Sequence, residues 1–375
     1  MTAEPRPRLV LGIETSCDET AAAVVEAGRI VHANVVASQA ALHAPFGGVF
    51  PEVASRQHVR DVSYVVEAAL DAAQVRLDDI DALAVTNGPG LAGALLVGVN
   101  AAKGLALATG TPLVGVHHLA GHLASQWLHA GGVVIAPAVA AAAGPPPPLP
   151  HLALIVSGGH TELLWVRDLT DVTRLAQTRD DAAGEAFDKA ARLLGLGYPG
   201  GPAVERAAAH GDPDRFALPV ARTDDGDWSF SGLKTALARQ VERLGATGAA
   251  RGHGAASGDA PPPDARVADP LPPDLPVADL AASFQAAVVR ALVERLRRAH
   301  ADHPGAAIAV SGGVSANAAL RAALAAAFDV PVWCPPLALC TDNAAMIAAA
   351  AWHRWTGPPP DGGLGLDVDA DAPLG

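Results

Sequence analysis

The sequence predicts a mixed α/β fold built as two duplicated lobes. The chain has 375 residues and half of them are hydrophobic, which is long enough for two cores and too long for one compact unit of typical size. An apolar run, a short polar turn and a second apolar run follow one another at residues 9–25, and again at residues 152–166. The recurrence of this pattern at long separation predicts two lobes of the same design.

The individual elements follow from apolar runs and the turns between them. Strands are predicted at Leu9–Ile13, Ala21–Val25, Leu152–Val156, Leu163–Val166 and Ile308–Val310. Helices are predicted at Val59–Ala73, Leu91–Ala108, Ala183–Leu194, Val204–Ala209 and Leu280–His300. The helix at Leu91–Ala108 is apolar and contains small residues; we interpret it as a core helix rather than a partner surface.

Three segments rich in alanine, proline and glycine, at residues 131–150, 245–277 and 356–375, interrupt this pattern. Their low complexity is typical of linkers and solvated loops, so we expect poor order there. The expected lobes are therefore residues 8–116 and 151–355, the second carrying the insertion at 245–277 and a last helix that can return to the first lobe. Residues 117–150 would hold a short helix and a linker, and residues 356–375 a disordered tail.

Composition excludes several classes of protein. The longest apolar stretch, Leu91–Val116, is interrupted by Asn100, Lys103 and several glycines, so no clean membrane span is expected. The first residues are charged and lack the apolar core of a secretory signal, which favours a cytoplasmic location. The three cysteines are widely spaced and predict neither disulfides nor a cysteine zinc site. A net charge of −13 means that a nucleic-acid substrate would need a local basic patch or a partner protein.

A pair of histidines is the first candidate for chemistry. His118 and His122 are four residues apart, which would place both imidazoles on one face of a helix, as metal ligands require. An ordinary polar stripe would show the same spacing. Leu119 stands where a zinc protease of the HExxH type has its glutamate, and His117 is out of phase with the pair. A third ligand could come from Asp342, although spacing alone favours that residue as the cap of the following helix.

Two glycine turns are candidates for binding phosphate. Ser157–Thr161 and Ser311–Gly313 each follow an apolar strand, where backbone N–H groups can approach phosphate oxygens closely. The turn Glu14–Thr20 adds hydroxyl and carboxylate groups. Asp188 could accept hydrogen bonds from ribose hydroxyls, or it could belong to an ordinary charged helix surface. The chain has no GxxxxGK[ST] loop.

Taken together, these residues resemble the tRNA adenosine threonylcarbamoyltransferase family, once labelled O-sialoglycoprotein endopeptidases. The family belongs to the actin-like, Hsp70-like and sugar-kinase-like superfamily, so the resemblance implies a two-lobed actin-like fold. The matching motifs are Gly12–Thr20, Gly47–Arg56, the segment with His118 and His122, Val156–Thr161, Gly184–Lys189, Tyr198–Pro202, Phe230–Lys234, Ser311–Asn317 and Cys340–Asn343.

The resemblance implies a reaction and a set of site residues. The reaction transfers a threonylcarbamoyl group from threonylcarbamoyl-AMP to N6 of adenosine 37 in tRNAs that read codons beginning with A. The metal ligands would be His118, His122 and Asp342, with iron favoured and zinc as the alternative. The substrate-binding residues would be Ile155, Val156, Ser157, Gly158, Gly159, Asp188, Gly201 and Asn317. The implied partners are tRNA, a related actin-like subunit that lacks the metal site, and a small P-loop ATPase.

Asp18 and Glu19 are the candidates for positioning or deprotonating the attacking amine, although their turn could equally serve to order the site. Three other functions compete with the transferase. A metalloprotease is disfavoured by the missing glutamate, a sugar or acetate kinase does not need two histidines and an aspartate as metal ligands, and a non-catalytic scaffold does not need a complete ligand set.

Overall fold

The computed structural model describes residues 7–130, 146–249, 272, 274–359 and 361–374. The predicted linkers at 131–150 and 245–277 lie largely outside these residues. The described chain forms two mixed sheets with helices around and between them, which confirms the predicted two-lobed α/β fold.

The first sheet contains six strands in the order β5-β4-β1-β2-β3-β6. They are β1 Leu9–Glu14, β2 Glu19–Glu26, β3 Ile30–Ser38, β4 Ala82–Gly88, β5 Leu113–His117 and β6 His129–Ala130. β2 pairs antiparallel with both β1 and β3, and β4 runs parallel to β1 and to β5. The helices of this half are α1 Ala40–His43, α2 Pro51–Ala73, α3 Ala92–Thr109 and α4 His118–Ala124.

The second sheet repeats the first. Its strands are β7 His151–Val156, β8 Thr161–Asp168, β9 Asp171–Gln177, β10 Ala307–Ser311 and β11 Val332–Trp333. Their order, β11-β10-β7-β8-β9, is that of β5-β4-β1-β2-β3, with the same pattern of parallel and antiparallel pairs. The helices are α5 Ala183–Leu193, α6 Gly200–Ala208, α7 Ser231–Ala249, α8 Val277–Asp302, α9 Ala318–Ala327 and α10 Ala344–His353. The strand-turn-strand repeat in the sequence therefore corresponds to a duplicated sheet topology.

A layer of small residues joins the two halves. The last helix, α10, packs against α4 and β1, so the end of the second half returns to the first. Its alanines are buried with apolar residues of both sheets, including Val10 of β1 and Ile155 of β7. A Cβ built on Gly12 of β1 would lie 2.3 Å from the carbonyl oxygen of Ala344, so only glycine permits this approach.

Helix α3 is apolar enough to raise the question of a membrane. Among the described residues it alone combines the length and composition of a span, and 33% of its window is buried here. It packs on α2 and β4 through one face, as a core helix does, while Leu96 and Leu107 on the other face are 44% and 74% exposed. The prediction of a core helix therefore holds for the face of α3 that packs on α2 and β4, and the opposite face is exposed.

The expectation of a disordered tail at 356–375 needs correction for the residues that are described. Residues 361–374 lie along the first lobe and bond to it through the backbone. Leu113 N donates to Gly362 O, and Asp369 N donates to Asn87 O. Leu374 is buried. Composition alone missed these long-range backbone bonds.

The close packing of β1 on α10 predicts a stability difference between two glycines. Gly12→Ala should lower the free energy of unfolding by about 1–3 kcal/mol, because its methyl group has no room beside Ala344. Gly104→Ala, in α3, is the matched control: its Cβ meets no atom of the described residues within 4 Å, and the change should be neutral or stabilising by roughly 0.5–1 kcal/mol. Urea denaturation measures both. Equal stability of Gly12→Ala and the wild type would contradict the described packing.

Candidate metal and nucleotide site

Two histidines and an aspartate from distant parts of the chain meet where the two halves join. His118 is the first residue of α4 and His122 lies one turn further along. The Nε2 atoms of His118 and His122 lie 3.5 and 3.3 Å from Oδ1 of Asp342. One ligand atom from each residue lies within 4.8 Å of the other two. The structure brings together the three residues that were predicted as metal ligands.

Asp342 does not cap the helix that follows it. The cap of α10 is Asn343, whose Oδ1 accepts a hydrogen bond from the backbone N–H of Met346 at 3.0 Å. The interpretation of Asp342 as the cap, which spacing alone favoured, is therefore wrong. Because Asn343 satisfies the helix end, the carboxylate of Asp342 faces the histidines.

A buried acid orients the first histidine. Nδ1 of His118 lies 3.1 Å from Oε2 of Glu14 and 3.2 Å from the hydroxyl of Ser16. Glu14 is completely buried, and the hydroxyl of Thr86 donates to the same carboxylate oxygen at 2.6 Å. A carboxylate that accepts the Nδ1 proton leaves Nε2 of the ring with a lone pair for a metal, and it increases the basicity of the ligand.

The charges of the cluster fit a bound cation. Burial lowers the pKa of His118, but the carboxylates of Asp342 and Glu14 outweigh burial and raise it well above its ordinary value. Both ring nitrogens of His122 are buried; among the described residues Nδ1 has no hydrogen-bond partner, and Nε2 has only the 3.3 Å contact with the Asp342 carboxylate. A buried imidazole without a partner is costly, and a metal ion would satisfy it. Two imidazoles and a carboxylate form a donor set suited to a divalent metal.

His117 has a structural role, as its position out of phase indicates. Its Nδ1 accepts the backbone N–H of Leu119 at 3.2 Å and so caps α4. Its Nε2 lies 3.0 Å from the carbonyl oxygen of Ala372 in the C-terminal segment. Burial lowers the pKa of His117 to about 4, so the ring is neutral and can donate one proton to that carbonyl.

The glycine turn between β7 and β8 lies beside the metal cluster. The ring of His160, at the end of this turn, is 6.3 Å from the ring of His118. A Cβ built on Gly158 or Gly159 would meet no atom of the described residues within 4 Å. The backbone of these two residues is therefore open to a ligand.

The residues before these glycines support the turn. Ile155 and Val156 end β7 and are completely buried. Ser157 is 6% exposed, and its hydroxyl accepts the backbone N–H of His160 at 3.1 Å. Of the five residues predicted to bind substrate here, the two glycines have open space and the other three hold the turn in shape.

His160 is a site residue to which the sequence analysis assigned no role. Burial, together with the positive charge of the nearby His118, lowers its pKa to about 3, so its imidazole is neutral. A neutral ring beside a metal site can donate one hydrogen bond and accept another. Its position directly after the glycine pair was the available signal in the sequence.

Helices α5 and α6 form another wall of the site. Oδ1 of Asp188 accepts the backbone N–H of Gly200 at 2.7 Å, and burial raises the pKa of this carboxyl group to about 6. A Cβ built on Gly201 would meet no described atom within 4 Å. Asp188 and Gly201 thus combine a polar group with open space, as the predicted contacts to a nucleoside require.

Asn317 makes structural bonds at the position predicted to bind the nucleotide. Its Oδ1 accepts the backbone N–H of Leu320 at 2.9 Å and caps α9, while its Nδ2 donates to Oε1 of Gln285 at 2.8 Å. A side-chain amide has two N–H groups and two carbonyl lone pairs, so one of each remains for a ligand.

The acidic turn between β1 and β2 faces the second lobe. The hydroxyl of Tyr198, from the second half, donates to Oδ2 of Asp18 at 3.2 Å. Burial and the negative charges of Asp18 and Asp342 raise the pKa of Glu19 well above its ordinary value. A carboxylate with a raised pKa is a stronger base, so Glu19 has the electrostatic environment of a proton acceptor.

Comparison with known proteins gives a consistent family. The sequence profile described as tRNA N6-adenosine threonylcarbamoyltransferase matches residues 30–349. A protein of that description from Thermomicrobium roseum is 52% identical over 368 residues, which cover 98% of this chain and 97% of the relative. Another, from a Cyanothece species, is 49% identical over 352 residues, covering 91% and 90% of the two chains.

Solved structures agree on the fold. HypF from T. kodakarensis superimposes with a TM-score of 0.54 at 15% identity, over 93% of this chain and 48% of that protein. The activator of 2-hydroxyisocaproyl-CoA dehydratase from Clostridium difficile, with bound ADPNP, gives a TM-score of 0.50 at 11% identity, over 92% and 94% of the chains. These similarities show the actin-like fold and nothing about chemistry.

Two neighbouring residues separate metal binding from helix capping. Asp342→Asn should lower metal affinity by at least about 100-fold, because a ligand is lost and not merely an outer-sphere contact. Asn343→Ala should keep the metal but lower the free energy of unfolding by about 1 kcal/mol, since α10 loses its cap. Metal content by mass spectrometry and urea denaturation give the two readouts. An equal loss of metal in both variants would mean that the loop, rather than the Asp342 carboxylate, holds the ion.

Proposed function

The chain belongs to the tRNA N6-adenosine threonylcarbamoyltransferase family, and on that premise we propose the donor, the mechanism and the partners of this chain. As a member of the family, the protein is an acyltransferase that modifies tRNA. The proposed donor is threonylcarbamoyl-AMP, the proposed acceptor is N6 of adenosine 37 in tRNAs reading codons that begin with A, and the proposed second product is AMP. The observation that carries the proposal is the juxtaposition of the metal cluster with the open glycine turn.

In this reaction the enzyme has to orient the donor and the amine more than it has to activate the donor. The donor is a mixed anhydride, so its carbamoyl carbon already carries a good leaving group. The N6 amine forms a bond to this carbon, the bond from the carbon to the phosphate oxygen breaks, and AMP leaves with the electron pair. One proton from N6 must go to a base. An enzyme accelerates such a step mainly by aligning the reactants and stabilising the developing charge.

The second half of the chain supplies the groups that would hold AMP. The space beside Gly158 and Gly159 leaves room for a phosphate to approach their backbone N–H groups, and the neutral His160 next to them can donate a further hydrogen bond. Asp188 and the space beside Gly201 suit the ribose. The remaining N–H of Asn317 would complete the nucleotide contacts.

The first half supplies the groups that would receive the amine. Glu19 accepts the proton in this proposal, because burial and the neighbouring carboxylates raise its pKa. Asp18 positions the turn through its bond to Tyr198. In the alternative, the two carboxylates only order the site. Removing one of them would then weaken donor binding, whereas removing the base would slow the transfer and leave donor affinity unchanged.

The proposed metal is iron, with zinc as the alternative that the same donor atoms accept. His118, His122 and Asp342 would hold it, and Glu14 would fix the orientation of His118. A bound divalent ion with open coordination positions supplies Lewis acidity to a carbonyl or phosphate oxygen.

The proposed partners are those that the family resemblance implies, and the charge and exposure of the chain support two of them. With a net charge of −13, the chain favours a partner that helps to hold the tRNA phosphates. The outer face of α3, with Leu96 and Leu107 exposed, suits a related actin-like subunit. A small P-loop ATPase is the other partner proposed. The proposed location is the cytoplasm.

The function is tested by reconstitution. The protein, with and without candidate partners, is incubated with threonine, bicarbonate, ATP, an adenylate-forming enzyme and tRNA, and adenosine modification is read by mass spectrometry. We expect threonylcarbamoyl-adenosine from the wild type and none from His118→Ala, which should also lose its metal. A His118→Ala protein with unchanged metal content would refute the ligand assignment. Absence of modified adenosine with every partner present and the metal bound would refute the function.

The role of Glu19 is tested separately. Glu19→Gln should lower the transfer rate by roughly 100- to 10,000-fold, because the amine loses its base, while the affinity for the donor stays within about twofold. Glu67→Gln, an exposed acid of α2, is the control and should keep the full rate. Single-turnover kinetics with preformed donor measures rate and affinity together. A Glu19→Gln enzyme with the full rate and normal donor affinity would eliminate the proposed base, and a selective loss of affinity would favour the ordering role.

A further inference from the structure

Two phenylalanines stack on each other at the surface of the loop before α2. The ring centroids of Phe46 and Phe50 are 5.3 Å apart with an angle of 30° between the planes. The two residues are 52% and 45% exposed. Single apolar residues on a surface are ordinary, but two stacked rings hold each other in place, and about half of each side chain stays exposed to a further ring.

This loop lies beside the nucleotide wall of the site. Arg192 of α5 donates hydrogen bonds to the carbonyl oxygens of Phe46 and Gly47. Arg192 follows Asp188 by one helical turn, so the loop meets α5 next to the carboxyl group proposed to bind ribose. The aromatic pair is therefore placed at the mouth between the lobes, and one cation lies beside it.

A buried chain of hydrogen bonds fixes the loop relative to the acidic turn. Its first member is His43, whose Nδ1 accepts the backbone N–H of Phe50 at 3.3 Å. His43 Nε2 lies 3.2 Å from Gln39 Oε1, and Gln39 Nε2 lies 3.3 Å from Nδ1 of His58. Nε2 of His58 reaches the carbonyl oxygen of Cys17 at 3.0 Å.

The two backbone groups at the ends of this series, the N–H of Phe50 and the carbonyl of Cys17, determine which atom donates in each of its hydrogen bonds. The N–H of Phe50 can only donate, so Nδ1 of His43 accepts and its Nε2 donates to the Gln39 carbonyl. Nε2 of His58 then donates to the carbonyl oxygen of Cys17, and its Nδ1 accepts the hydroxyl of Thr20 at 2.8 Å and, at 3.3 Å, the amide of Gln39. Burial lowers the pKa of His58, which agrees with a neutral ring. The phenylalanines are thus held in register with Asp18 and Glu19, which follow Cys17 directly.

The charge of the site restricts what can approach this surface. Carboxylates of Glu14, Asp18, Glu19, Asp188 and Asp342 surround the cleft. Away from the glycine turn that is proposed to hold the donor phosphate, such a cleft repels RNA phosphates, while a nucleobase is neutral and can enter without this penalty. Aromatic side chains are the usual platforms for unpaired RNA bases.

We propose that Phe46 and Phe50 form a stacking platform for an unpaired tRNA base next to the adenosine that reacts. The proposal rests on the proposed function, because it takes tRNA as the acceptor. Arg192 at the edge of the platform balances the phosphate of the same nucleotide. The platform holds the RNA strand at the mouth of the cleft while the reacting base enters.

Kinetics with varied tRNA tests the platform in the full chain with the partners it needs. Phe46→Ala and Phe50→Ala should each raise the KM for tRNA by about 5- to 150-fold, as expected when one aromatic stacking contact is removed. The rate at saturating tRNA and the KM for the donor should stay within about twofold. Tyr64→Ala, which removes a 67% exposed aromatic ring of α2, is the matched control and should change none of these values.

Conservative variants separate a nucleobase from a protein as the occupant. Phe50→Tyr keeps an aromatic face and should retain a KM for tRNA near that of the wild type. Phe50→Leu keeps an apolar side chain without the face, and it should resemble Phe50→Ala. Retention of tRNA affinity by Phe50→Leu, or loss of partner binding in place of tRNA affinity, would overturn the proposal in favour of a protein contact.

Two further outcomes are distinct. An unchanged KM for tRNA in both alanine variants, with an active wild type, would overturn the platform and leave the proposed function intact. A wild type that forms no modified adenosine would instead overturn the proposed function, and direct tRNA binding by fluorescence anisotropy would still test the platform. In that assay, equal affinity of the wild type and the Phe46→Ala, Phe50→Ala double variant would reject it.

Discussion

The site depends on how closely α10 approaches β1 and α4. Gly12 leaves no side chain between β1 and the first carbonyl of α10, and Gly121 leaves room for Ile347 and Met346 on the other side. A run of alanines in α10 continues the same close packing. Because α4 and α10 lie side by side, their N-terminal ends meet, and these ends carry His118 and Asp342. The packing of small residues thus fixes the distance between His118 and Asp342, on which metal binding depends.

Around that junction, some residues make the structural hydrogen bonds and others face the metal cluster. Asn343 satisfies the end of α10, so Asp342 need not do so. His117 caps α4 and binds the C-terminal segment, while the adjacent His118 turns towards the cluster. Glu14 supplies the outer contact to His118 from a position of complete burial. In the first two cases one residue makes the structural bond and its sequence neighbour faces the metal cluster.

The sequence predicts what short-range patterns encode and misses what distant bonds decide. The duplicated strand-turn-strand units were predictable because their signal is local, and the topology confirms them. The first two turns of α2 were missed because that helix begins at Pro51, within a loop motif rather than an apolar period. The order of residues 361–374 comes from backbone bonds to residues far away in the chain, such as Leu113 and Asn87. The cap of α10 needed geometry, since Asp342 and Asn343 are equally good cap residues by type.

Local sequence patterns were also insufficient to identify the residues of the site and their environments. Every predicted ligand of the metal cluster was identified through a resemblance, whereas spacing alone left the histidine pair equivocal and assigned Asp342 to the helix. The environment of each group needed the structure: the neutral ring of His160, the raised pKa of Asp188 and the shared hydrogen bond of Tyr198 and Asp18 all arise from residues that are distant in the sequence.

The two corresponding turns that border the cleft differ in charge in a way that suits acyl transfer. The turn between β1 and β2 contributes Asp18 and Glu19, whereas the turn between β7 and β8 contributes two glycines and the neutral imidazole of His160. In the proposed reaction the attacking amine becomes positive as its bond forms, and the departing phosphate takes up negative charge. Acidic groups on the amine side and N–H donors on the phosphate side stabilise both changes at once. Duplication of one lobe, followed by different residues in corresponding turns, is a simple route to such a polar cleft.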